Sequence, residues 1–175
     1  MSKYFTYPVA AILFLLLSSF SFLELDSVTN ESHLFKIERS KDANEIFYDI
    51  HLEKTGKLSV VEPISPYWRR QTEGGIIKPL TWIQQHYAYG LEYLYSSENY
   101  AKFRFVSYKK RDFVLKKDTN GNFKVFTLLD KKEVEVNRIF IQIDGGTFWF
   151  PKISRVELHT KDPETKKNIV EIIKP

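Results

Sequence analysis

Two apolar runs in this sequence end in arginine. Phe35, Ile37 and Arg39 alternate along one of them, and Ile64, Pro66, Trp68 and Arg70 along another. In extended chain a period of two puts each set on one face. A guanidinium fork beside an indole can hold a carboxylate, phosphate or sulfate bidentately while the ring stacks on the ligand. Gly74 and Gly75 follow at once and would let backbone come close. The expected ligand site is therefore Arg39, Trp68 and Arg70, joined by Tyr89 from the aromatic stretch that holds Tyr87, Tyr89, Tyr93, Tyr95 and Tyr100. The same residues have a plainer use, in which each arginine lays its stem over the core and sends its head into water.

Asp49, His51 and Glu53 form a second set, again at alternate positions. They could perform acid-base work or hold a metal if a fourth group converged on them; an exposed strand carries such mixtures as a matter of course. Glu157 with His159 repeats the idea with two residues, while His33 and His86 stand alone. The chain has no cysteine, no G-x-S-x-G, no H-E-x-x-H and no phosphate-cradling glycine loop. Ser40, Ser65 and Ser107 have no identified base. Asp144, Gly145 and Gly146 fit a hairpin turn better than a calcium loop, which needs about six or more oxygens. No catalytic residue, metal or cofactor is expected.

The elements that position these groups read as strands. Ile46, Tyr48, Ile50 and Leu52 share one face and Phe47, Asp49 and His51 the other, the pattern of a strand with one buried side. The stretch 60–70 is strand-like, although Pro63 and Pro66 confine it to an edge or a bulged path. Further strands are expected over 88–95, 101–108, 112–117, 123–129, 134–143, 148–158 and 169–173. Asn120-Gly121 is the strongest hairpin signal, and 130–132, 144–146 and 161–163 are also expected to turn. Only 80–87 departs from this grammar, with Leu80, Ile83, Gln84 and Tyr87 at helical spacing after Pro79. The sequence thus predicts a mainly β fold: one antiparallel up-and-down barrel-like domain with a short helix near 80–87. A two-sheet sandwich is the alternative.

Ahead of this domain, residues 1–21 have the form of a signal peptide, with Lys3, an apolar run over 9–17 and small residues at 19–21. Residues 22–33 are a polar lead-in, and 34–175 form the single domain. The apolar run is shorter than a spanning helix prefers, so the expectation is export to the periplasm or beyond with no membrane span after cleavage. An uncleaved N-terminal anchor is the alternative. Lys3 is the only charge in 1–21 of a chain with net charge +4, so the exported part would carry +3, well mixed, and nucleic acid is not an expected partner. Lys109, Lys110 and Arg111 are read as a solvated cluster that discourages edge pairing.

The segments I-E-R-S (37–40), F-Y-D-I-H-L (47–52), P-Y-W-R-R (66–70), A-Y-G (88–90) and F-I-Q-I-D-G-G (140–146) together resemble a group of exported bacterial proteins, domain of unknown function 4833. The resemblance spans roughly 34–175. It implies a bacterial, exported, single-domain protein, and it brings no activity, ligand or catalytic residue with it. The reading that follows is a non-enzymatic binding module for a small anionic or glycan-like ligand. An envelope hydrolase using Asp49, His51 and Glu53 is one alternative, and a structural or assembly protein of the envelope, docking on another envelope protein, is the other.

Overall fold

The computed structural model describes residues 33–147 and 150–174. The expected signal peptide, nearly all of the lead-in, and the pair Phe148 and Trp149 lie outside the described residues. Eleven strands, a 3-10 turn (Gln71–Glu73) and one short helix, α1 (Trp82–Tyr87), make up the rest. The strands are β1 (His33–Arg39), β2 (Asp42–Ile50), β3 (Ile64–Arg70), β4 (Ile76–Pro79), β5 (Leu91–Ser97), β6 (Tyr100–Phe105), β7 (Tyr108–Lys117), β8 (Phe123–Leu129), β9 (Lys132–Gly146), β10 (Pro151–Lys161) and β11 (Asn168–Ile173). His33, placed in the lead-in by sequence, opens β1.

The fold is mainly β, one large sheet curled into a half-barrel. The sheet runs β4-β3-β2-β1-β9-β8-β7-β6-β5, with β10 on the other side of β9 and β11 beyond it. Two antiparallel meanders, β1 to β4 and β5 to β11, are joined by a parallel pairing of β1 with β9, which a purely up-and-down order does not contain. The 15-residue β9 explains it. Its ladder with β8 stops at Glu135, and β1 takes up the freed edge from Arg138 to Ile141.

The two arms close over a common interior. The rings of Phe35 and Tyr48 stack at 4.4 Å, and Phe105 meets Tyr48 edge-on at 5.8 Å and Phe113 at 5.2 Å. Each such pair adds about 0.5–1.5 kcal/mol beyond the area it buries. Between β3 and β5 no ladder closes the sheet, so side chains do it. The Tyr93 phenol accepts from the Ile64 N–H at 3.1 Å and donates to the Ile64 carbonyl at 3.2 Å. The fully buried Tyr48 donates to the Tyr89 carbonyl at 2.7 Å. Burial pushes both phenols above their ordinary range and keeps them neutral donors.

The strand expected to bury Ile46, Tyr48, Ile50 and Leu52 behaves largely as its alternation implies. Ile46 and Tyr48 are fully buried and Ile50 packs against the core. Leu52 is 43% exposed because β2 has ended by then, leaving only an isolated bridge to Leu58. Pro66 sits where β3 has a free edge, since β4 covers only Tyr67–Arg70. The turn expected at 144–146 is instead the end of β9, with Gly145 and Gly146 paired to Lys152 and Pro151. The chain reverses beyond it, where the Thr147 N–H donates to the Phe150 carbonyl. Gly146 has φ +87°, and a Cβ there would lie 2.2 Å from the Phe150 carbonyl oxygen, so the position requires glycine.

Candidate functional site

Of the four residues expected at the ligand site, the fold brings three together. Arg39 ends β1, Trp68 lies on β3 and Tyr89 follows α1. The guanidinium sits 4.7 Å from the Trp68 ring centre and 5.9 Å from that of Tyr89, and it donates to the Tyr89 hydroxyl at 3.2 Å. Its other nitrogen is paired with Asp42 across the β1–β2 turn. Trp68 meets Tyr89 edge-on at 5.7 Å and is only 7% exposed, and the Arg39 side chain is 13% exposed. The indole faces are thus covered by the protein's own groups. Arg70 has a separate partner, Glu73 of the 3-10 turn, at 2.5 Å.

Helix α1 holds this corner shut. Gln84 donates its N–H to the Thr81 hydroxyl, and the Gln84 side-chain oxygen accepts from the Thr81 N–H at 2.9 Å, a reciprocal cap that starts the helix. The same oxygen accepts the Trp68 indole N–H at 3.0 Å. Gly90 lets the exit strand pass close, since a Cβ there would lie 1.8 Å from the Gln85 carbonyl oxygen.

Asp49, His51 and Glu53 do not converge. Asp49 takes hydrogen bonds from His33 at 3.1 Å and from the Tyr67 hydroxyl at 2.9 Å. His51 and Glu53 lie past the end of β2, exposed, with the His51 Nδ1 donating to the Glu62 carbonyl at 3.0 Å. Among the described residues no group of three His, Cys, Asp or Glu side chains could hold a metal ion.

A concavity of about 470 Å³ lies elsewhere, across the outer face of β6 to β9. Tyr100, Lys102, Arg104, Lys110, Asp112 and Leu128 are among the residues that line it. Period two explains the set: Ala101, Phe103 and Phe105 fill the core and send the alternate residues outward. Lys102 and Arg104 both grip Asp112, at 2.7 and 2.5 Å. Hydrogen bonds from Arg104, then Lys102, hold the Asp112 carboxyl below the usual range. Two cations on one carboxylate leave a positive excess, and Lys110 adds to it with no carboxylate partner among the described residues; the other acid lining the concavity, Glu133, is paired with Lys116 at 2.8 Å. Arg111 also borders the concavity, but its head turns away to Glu171 on β11 at 2.7 Å. The Lys109–Arg111 cluster was visible in the sequence as a solvated face. It lies where β7 runs past its ladder with β8, which begins at Phe113. What sequence could not supply was its alignment with Lys102 and Arg104 on the neighbouring strand.

The fold and these surfaces define a class: a β half-barrel whose arms are closed by buried tyrosines and whose outer face carries a basic concavity. Residues 35–172 match the family described as Domain of unknown function (DUF4833), and the chain belongs to that family. No curated protein and no solved structure matches it.

Proposed function

We propose that the protein is an exported, non-enzymatic binding module whose ligand is an anionic, extended molecule such as an acidic glycan, held on the outer face of β6 to β8. The carrying observation is the excess of cations there: Lys102 and Arg104 share Asp112, and Lys110 stands by. Acidic groups of a ligand would meet donors already aimed outward, and the exposed ring of Tyr95, 5.9 Å from that of Tyr100, extends a stacking surface beside them. An open concavity favours a chain lying across it over a small molecule enclosed by it. Arg39 and Trp68, expected to grip the ligand, serve in this reading to close the corner beneath α1.

Titration with polygalacturonate, against dextran as the neutral control, tests the proposal. Binding should be selective for the acidic chain and weaken as salt rises. It should fall at least tenfold in the double variant Lys102→Glu with Lys110→Glu, whose side chains are partly or wholly outside the core. Equal binding by that variant, or no preference over dextran, defeats the proposal.

A further inference from the structure

The outward side of α1 bears large apolar groups with no cover among the described residues. Trp82 is 62% and Tyr87 68% exposed, and Ile83 of the same helix and Ile76 of β4 are exposed as well. Trp82 stacks on His86 at 4.4 Å and meets Tyr87 edge-on at 5.8 Å, so the rings form one cluster. Ile76 pairs with Arg70 and Lys78 with Trp68 across the β3–β4 ladder, which puts both on the α1 side of the sheet. The platform is rigid, because the Thr81 cap, the Gln84–Trp68 bond and buried Leu80 tie it to the core.

Its charge is one-sided. From Gly74 to Leu91 there is no aspartate or glutamate, and the flanking cations Arg70 and Lys78 share a single carboxylate, Glu73, at 2.5 and 2.7 Å. We infer that this face lies on an anionic lipid bilayer. An indole and a phenol suit the headgroup level of a membrane, isoleucine tips suit the acyl boundary, and a net positive border suits anionic phosphates. A sugar platform would have no use for the isoleucines, and a protein partner no need for a border in which Arg70 and Lys78 outnumber their one carboxylate, Glu73. Among the described residues no helix is long and apolar enough to cross a membrane, and α1, with six residues, would rest on the surface.

The test uses the full chain with vesicles of phosphatidylcholine and phosphatidylglycerol. The sequence also contains the apolar run at 9–17, so the readout is local to α1. Vesicles with brominated acyl chains should quench wild-type tryptophan fluorescence, and Trp82→Phe should remove most of that quenching. Amide exchange over 74–91 should slow at least threefold on vesicles, and less on vesicles of phosphatidylcholine alone. The inference is overturned if the full chain fails to bind the vesicles, or if Trp82→Phe is quenched as strongly as wild type. It is overturned equally if Trp82 is covered in solution by a second copy, seen as a dimer that Trp82→Ser dissociates.

Discussion

Replacing Arg39 by methionine separates a structural clamp from a ligand group. The guanidinium makes an ion pair with partly exposed Asp42, a hydrogen bond to Tyr89 and a contact over the Trp68 ring. A partly exposed ion pair contributes about 0.2–1 kcal/mol, a net hydrogen bond about 0.5–1.5 kcal/mol and a guanidinium over an indole about 0.5–2 kcal/mol. Two effects reduce the total. Methionine keeps the stem and restores a sulfur–aromatic contact of about 0.3–1.5 kcal/mol, and the change removes the buried Arg39 Nε, which has no partner among the described residues. The expected net loss is about 1–2 kcal/mol. Arg70→Met breaks only an exposed pair with Glu73 and should cost about 0.5 kcal/mol or less. Urea denaturation followed by circular dichroism measures both, with unchanged slopes if the native state is intact. Binding of polygalacturonate should survive in each variant. If Arg39→Met leaves the midpoint where it was and abolishes that binding, the clamp argument fails and the ligand sits at Trp68.

Two further outcomes follow from the interior and the ion-pair belt. Tyr48→Phe keeps the stack on Phe35 but removes the donor to the Tyr89 carbonyl, so it should cost about 1–3 kcal/mol and lower Tm by several degrees in calorimetry; a neutral result would mean that water replaces the phenol. In acid, a belt of pairs over β1, β9 and β10 should fail. Partial burial of Glu38 opposes its ionisation, yet Lys36 and Arg138 outweigh this and hold its carboxyl below its ordinary value; Arg155, then His159, do the same for Glu157. A depressed carboxyl pKa gives stability that is complete above the unfolded pKa and is lost as pH falls through the folded one. The urea midpoint should therefore be flat above about pH 5 and fall below it, less steeply in Glu38→Gln. A fall that begins near pH 6.5 would assign the loss to histidine instead.

Much of the fold was legible because strands with one wet side advertise themselves. Ile46 and Tyr48 alternate with Phe47 and Asp49, Asn120-Gly121 makes a hairpin, and Pro79 followed by helical spacing makes α1; each is local chemistry read over a few residues. The same alternation placed Arg39 and Trp68 toward one interior, where they meet. It could not say that Asp42 would neutralise the guanidinium or that Tyr89 and Gln84 would close over the indole, since those partners arrive from other elements.

The sequence by itself determined which residues of each strand face inward, because burial of apolar side chains at period two depends only on neighbours in the chain. Tertiary structure alone decided which strands lie side by side. The parallel seat of β1 on β9, the Tyr93 bridge to Ile64 and the gathering of Lys102, Arg104 and Lys110 around Asp112 all depend on pairing between distant segments. Pairing of that kind is fixed by the closing of a shared core, whose free energy is summed over the whole domain and written in no single stretch.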